Sequence, residues 1–298
     1  MSDTLTDAAD DRALRHWTFR DQARMPIGSE AHKQMFCRML LETHNPYKPA
    51  VLDWPHLAPD ALKRLTSLPI WDIAVQTEGR ASIRMSSYAA RVADPLLREA
   101  IEMNAAEEAR HKHVLSRLVA AYGIKLAPEP DYAPPRDPEW AWMFTGYSEC
   151  IDSFFAFGLF RSAQASGYFP EALVKTFEPV IQEEARHILF FVNWVAWYRR
   201  TMPWWRRPWH AARVAAIWVK LVWDRVGIAK GIGADGAVQD SNFLPANSAT
   251  LGDALNARQL LELCLVENEQ RMSGYDTRLV RPTFVPRLAR LALRYMKK

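Results

Sequence analysis

Glu107-Glu108-Ala109-Arg110-His111 and Glu183-Glu184-Ala185-Arg186-His187 are one five-residue phrase written twice in the chain. In each copy the second glutamate and the histidine stand three positions apart, which on an α-helix places them on one face, about one turn from each other. A carboxylate and an imidazole so placed can hold the same metal ion, and two such helices facing each other can hold two ions side by side. A lone Glu-x-x-His arises by chance in many helical chains. Two copies that also share the intervening Ala-Arg are far harder to assign to chance.

Outward from the two phrases the chain reads as helix. Glycine is scarce, 12 of 298 residues, and no run alternates apolar and polar residues as a half-buried strand would. Asp94-Pro95 supplies an N-cap and a proline at the first helical position. The helix it starts should run to about Tyr122, stop at Gly123 and carry the first phrase. A helix over about 69–92 precedes it. Asp137-Pro138 repeats the start signal for a helix over about 139–166, turned by Gly167 and Pro170. The segment bearing the second phrase follows to about Arg200, with an interruption or restart expected at Pro179. Between the hairpins, Pro128, Pro130, Pro134, Pro135 and Pro138 mark a connector long enough to cross from one to the other.

The expected fold is therefore all-α, a four-helix bundle of two helical hairpins joined by a long crossover, with extra helices at both ends. Residues 1–64 form a leader, loosely held over 1–25, with short helices over 28–42 and 60–65. Residues 65–200 form the bundle. Residues 201–298 form an aromatic and basic extension with helices over 208–226, 253–272 and 284–298 and a loop over 227–252.

A two-metal site also needs a carboxylate from each of the other two helices. In an antiparallel hairpin, residues equidistant from the turn lie at the same depth. The first hairpin turns near Ala93, with Glu108 15 residues after it and Glu78 15 before it. The second turns near Gly167, with Glu184 17 after it and Glu149 18 before it. Glu78 and Glu149 thus complete a candidate ligand set of Glu78, Glu108, His111, Glu149, Glu184 and His187. Asp152, one turn beyond Glu149, is the rival on its helix, and Asp72 is a weaker rival to Glu78. The helices are apolar around these acids, and a buried carboxylate without a partner is costly, so a metal or an ion pair is expected.

The pattern Glu, Glu-x-x-His, Glu, Glu-x-x-His on four helices resembles the ferritin-like di-iron carboxylate proteins. The fuller phrase is similar to the Asp-Glu-x-Arg-His motif of bacterial multicomponent monooxygenase hydroxylases, with glutamate in place of the first aspartate. The resemblance implies that Glu107 and Glu183 orient His187 and His111 across the bundle, with Arg110 and Arg186 behind them. It covers roughly 65–200. Val180 stands where the para-aminobenzoate N-oxygenase branch has an additional histidine, so that particular site is not implied.

Hard oxygen ligands with two imidazoles and no thiolate suit iron or manganese. The implied cofactors are two iron ions per chain, or a manganese–iron pair, with O2 as co-substrate. The implied reaction is oxidation of an organic substrate: hydroxylation, desaturation, N-oxygenation or oxidative cleavage. Iron handling without an organic substrate is the alternative, although ferritins are much shorter and have no need of an extension such as 201–298. Tyr147 and Tyr168 are the tyrosines a radical role would use, and both read as core. Phe154, Phe155, Phe157, Phe160, Phe190 and Phe191 form an aromatic stripe; were it to line a channel, the substrate would be apolar or lipid-like. The electron donor is not identified by any motif.

Composition bounds the rest. A net charge of +4 and a pI near 9.0, with no long lysine or arginine block, argue against a nucleic-acid partner. Cys37, Cys150 and Cys264 are widely spaced and read as reduced core thiols. The acidic, polar N-terminus is unlike a signal peptide, and no run of 18 apolar residues is present, so a cytoplasmic protein without a transmembrane helix is expected. Two clusters, 199–209 and 284–298, combine arginines with aromatic and aliphatic residues and suggest peripheral contact with the inner membrane surface; the simpler arrangement is that both dock on the bundle with solvated arginines. A homodimer is left open.

Overall fold

The computed structural model describes residues 15–21, 24–46, 53–68, 70–167, 169–231 and 256–296, the side chains of 226–231 excepted. Residues 1–14, 22–23, 47–52, Pro69, Tyr168, 232–255, Lys297 and Lys298, with the parts of the expected leader, of the loop over 227–252 and of the helix over 253–272 that fall on them, lie outside the described residues. Among the described residues the chain is all-helical, with nine α-helices and no strand. They are α1 (Glu30–Glu42), α2 (Pro59–Ser67), α3 (Trp71–Ala89), α4 (Pro95–Ala121), α5 (Pro138–Ser166), α6 (Glu171–Thr201), α7 (Arg207–Gly231), α8 (Ala257–Ser273) and α9 (Phe284–Tyr295).

Local chemistry starts and stops the long helices. The Asp94 carboxylate accepts from the Leu97 amide and Asp137 from that of Trp140, each satisfying an orphan donor ahead of a proline at the first helical turn. Gly167 ends α5 in the left-handed conformation at φ 65°, which glycine adopts without steric cost. Asn256 and Gln259 cap α8 reciprocally.

Packing then sets the layout. α3 and α4 form one hairpin and α5 and α6 the other; α3 packs along α5, and α1 lies against both α4 and α6, the two helices that carry the repeated phrase. α7, α8 and α9 cover α5 from outside. Beyond the phrase on α6, an aromatic core holds the helices together: Trp142 and Trp194 are fully buried and meet edge to face at 5.6 Å, and Tyr88 stacks on Trp142 at 5.6 Å. Phe154, Phe157, Phe190 and Phe191 are buried core residues, and Tyr147 meets Phe191 edge to face at 5.0 Å.

α5 and α6 come close at Gly146, where a Cβ would collide with the buried Phe191 ring one turn beyond His187. Gly146→Ala is therefore expected to destabilise the protein by about 1–3 kcal/mol. The check is a lower urea midpoint at unchanged slope.

Three expectations are corrected. Residues 15–21 are not loosely held: Trp17 and Phe19 are buried, the Trp17 amide donates to Gly274 O at 3.0 Å, and Arg15 pairs with Glu178. Burying two aromatics offsets the entropy of ordering this short segment. α6 runs unbroken through Pro179. One lost backbone bond there is outweighed by the burial of Leu173 before it and of Val180, Ile188 and Leu189 after it. α7 continues to Gly231, past the expected end near 226, so Gly227, at a cost of roughly 1 kcal/mol, does not end it.

No helix among the described residues is long and apolar enough to cross a membrane.

Candidate metal centre

α3 contributes Glu78, α4 contributes Glu107, Glu108, Arg110 and His111, α5 contributes Glu149 and Asp152, and α6 contributes Glu183, Glu184, Arg186 and His187. One ligand atom from each of Glu78, Glu108, His111 and Glu184 lies within 4.8 Å of the others. His187 joins them through Nδ1, 2.8 Å from Glu108 Oε1, and the two imidazole rings stand 5.7 Å apart. Glu149 lines the same cavity as Glu78, Glu108 and Glu184.

The whole phrase is repeated because each copy completes the other. Glu183 accepts from His111 Nε2 at 2.8 Å and from Arg110. Glu107 accepts from His187 Nε2 at 2.7 Å and from Arg186 Nη1 at 3.0 and 3.1 Å. The Arg-His pair of each helix thus grips the first glutamate of the other. A carboxylate can only accept, so Nε2 carries a proton in both imidazoles, and Nδ1 is the ring nitrogen turned to the centre.

The clasp is not symmetric. Glu107 also accepts from His44 Nδ1 at 2.7 Å, and Arg186, fully buried, further donates to Thr43 Oγ1 at 2.7 Å and Leu40 O at 2.6 Å. His44, Thr43 and Leu40 belong to the end of α1 and the turn after it, outside the repeat, so no repetition signals them in the sequence. Ser153, another unforeseen partner, donates to Glu184 Oε2 at 3.0 Å.

The electrostatics set Glu107 and Glu184, held as anions by their partners, apart from Glu108 and Glu149. Burial would raise the Glu107 carboxyl, but Arg186, His187 and His44 outweigh it and hold it well below the usual carboxylate range. Burial pushes Glu108 well above that range, reinforced by the neighbouring Glu184, Glu78 and Glu149. Glu149 is pushed up in the same way by burial, Glu184 and Glu78. Burial would lower His111, but Glu183, Glu184 and Glu78 outweigh it and raise its proton affinity well above normal. Four carboxylates gathered around one space repel one another until a cation stands among them.

A metal fits what these residues lack. Glu108 Oε1, Glu149 Oε1, His111 Nδ1 and His187 Nδ1 are buried and make no well-aligned hydrogen bond; each Nδ1 instead lies against a carboxylate, His187 2.8 Å from Glu108 and His111 3.2 Å from Glu184. Buried polar atoms are ordinarily paired, and these four are carboxylate oxygens and imidazole nitrogens, the donors that first-row divalent ions take.

The rival carboxylates have protein partners, although Asp152 lines the same cavity as Glu149. Asp152 accepts from Arg225 Nη2 at 2.6 Å and Ser148 Oγ at 2.8 Å, and Asp72 accepts from the Ala127 amide at 2.7 Å. A cavity of about 300 Å³ opens from the centre. Its walls are largely apolar, including Trp71, Phe144, Leu173, Phe177 and Val180, and of the aromatic stripe it takes Phe160.

These observations define an all-helical protein with a buried Glu/His cluster that could hold a metal ion. No family model, no curated protein and no solved structure matches the chain.

Proposed function

We propose that the chain is an O2-activating di-iron oxygenase or oxidase built on a ferritin-like four-helix bundle. Glu78, Glu108, His111, Glu149, Glu184 and His187 would hold two iron ions, or a manganese–iron pair. The observation that carries the reading is the buried cluster of imidazole and carboxylate atoms turned to one space that opens on an apolar cavity. Two ferrous ions would supply the electrons that reduce O2 beside the substrate. Glu107 and Glu183 keep both Nε2 protons in place, which fixes the imidazole rings and strengthens Nδ1 as a donor. The apolar walls bind an apolar or lipid-like substrate and exclude bulk water. An organic substrate suits that cavity better than a role in iron handling, since transit of hydrated iron has no use for aromatic and aliphatic walls.

Anaerobic protein loaded with ferrous iron should hold about two ions per chain and give a transient absorption change when mixed with O2. Negligible metal uptake would sink the reading. Uptake of many irons per chain as a mineral would assign the protein to iron handling instead.

A further inference from the structure

The solvent side of α7 is apolar. Between 208 and 223, Trp209, four alanines, Val219, Val222 and Trp223 are exposed, and Lys220 is the one exposed charged residue. Water-facing helix surfaces are ordinarily polar. The residues Trp205, Trp209, Ala212, Ala216, Val219 and Trp223 follow steps of four and three and form one continuous stripe along the helix. Trp223 is 77% exposed and Trp204, just before the helix, 78%. α9 repeats the arrangement. Its buried contacts are made by Val285, Pro286 and Ala289, which leaves Phe284, Leu288, Leu291 and Tyr295 facing outward, Tyr295 at 83% exposure. The Trp218 and Phe284 rings, 4.5 Å apart, bring the start of α9 against α7. Docking on the bundle therefore accounts for neither stripe.

Charge indicates what covers this surface. Residues 199–225 contain seven cations, Arg199, Arg200, Arg206, Arg207, Arg213, Lys220 and Arg225, of which Arg213, Lys220 and Arg225 pair with Asp137, Asp224 and Asp152. Residues 281–296 contain four arginines and no acid. Arg206, Arg207, Arg287, Arg290 and Arg294 are exposed beside the stripes. We infer that α7 and α9 form a docking surface for an anionic phospholipid bilayer, with the apolar stripes in the headgroup–acyl boundary and the arginines on lipid phosphates. Tryptophan and tyrosine settle at that boundary because their rings are apolar and their tips polar, and arginine stems lie along apolar surface while their heads reach the phosphates. A second copy of the chain fits less well, since a symmetric pairing would bring the two cationic rims together. The inference is independent of the metal reading, because neither stripe touches the cavity.

Co-sedimentation with vesicles tests it on the full chain. Wild-type protein should bind vesicles of phosphatidylcholine with phosphatidylglycerol at low salt, release at high salt, and bind phosphatidylcholine alone far more weakly. The variant carrying Arg287→Gln, Arg290→Gln and Arg294→Gln should bind ~100-fold more weakly, as three surface cations imply. The variant carrying Trp209→Ser and Trp223→Ser should lose binding with circular dichroism unchanged; its substitutions fall on exposed positions that leave the core intact. Wild-type protein that stays in solution with phosphatidylglycerol vesicles at low salt would overturn the inference. So would a dimer in size-exclusion chromatography that Trp223→Arg converts to monomer, which would assign the face to a second copy.

Discussion

Glu108→Gln is expected to weaken metal binding by at least ~100-fold, more than the loss of a partner that only orients a ligand, while the metal-free protein melts no lower than wild type. The two halves of this result have one cause. Glu108 is buried beside Glu184, Glu78 and Glu149, and both burial and those carboxylates oppose its charge. Replacing it with a neutral isostere relieves that repulsion when no cation is present. When a cation is present, the same change removes a charged oxygen that faces both His187 Nδ1 at 2.8 Å and the cluster of Glu78, His111 and Glu184. Metal quantitation and calorimetric melting of the metal-free protein read the halves separately, so unfolding cannot be mistaken for lost coordination. Asp152→Asn is the control on the neighbouring turn. Its carboxylate is held by Arg225 and Ser148, and the variant should keep wild-type metal content. A Glu108→Gln protein with full metal content, or an Asp152→Asn protein without metal, would exclude the proposed ligand set.

The second large effect concerns stability. Arg186→Met should cost about 3–5 kcal/mol, the usual consequence of leaving one partner of a buried ion pair behind. In a domain of this size that lowers the melting temperature by about 10 °C. Arg186 has no solvent exposure and donates to both oxygens of Glu107, to Thr43 and to Leu40. Its removal leaves Glu107 in the interior with His187 and His44 as hydrogen-bond partners and Arg110 at 3.7 Å. Adding Glu107→Gln should recover part of the loss, because no charge is then left buried and unpaired. The pH dependence has a defined sign. Burial opposes the charge of Glu107, but Arg186 and the histidines outweigh it, so its folded-state pKa is depressed. Its contribution is therefore complete above the unfolded carboxylate range, about 4.3, and is lost as pH falls through the lower folded value. The gap between wild type and Arg186→Met should narrow over that acidic window. A gap of constant size down to strongly acidic pH would show that the arginine acts by packing alone.

What could be read from the residues in advance was what depends on neighbours in sequence. Asp94-Pro95 and Asp137-Pro138 start helices in the structure because capping is complete within four residues. Counting outward from the hairpin turns brought in Glu78, which joins the cluster, and Glu149, which lines its cavity. The contacts of Arg225 with Asp152, and of Thr43 and His44 with the clasp, were not legible. Each depends on a helix arriving from far along the chain, and no local periodicity encodes where it lands. Pro179 failed as a helix breaker because local propensity is worth less than burial on both sides of it. The outward-facing stripe of α9 was legible as amphipathic, but amphipathicity does not say which face the fold covers.

The end of α1 has a consequence for the two halves of the repeated phrase. A duplicated device starts with equal halves, but this segment occurs once and leans on one of them. Glu107 is gripped by Arg186, His187 and His44, and Arg186 is itself anchored to Thr43 and Leu40. On the opposite side Glu183 is held by Arg110 and His111. The imidazole of His187 is thus backed by a stiffer, more completely neutralised carboxylate than that of His111. Two ions placed in this centre would be chemically distinguishable neighbours, differing in order of filling and ease of exchange, although the sequence spells their surroundings with the same five letters.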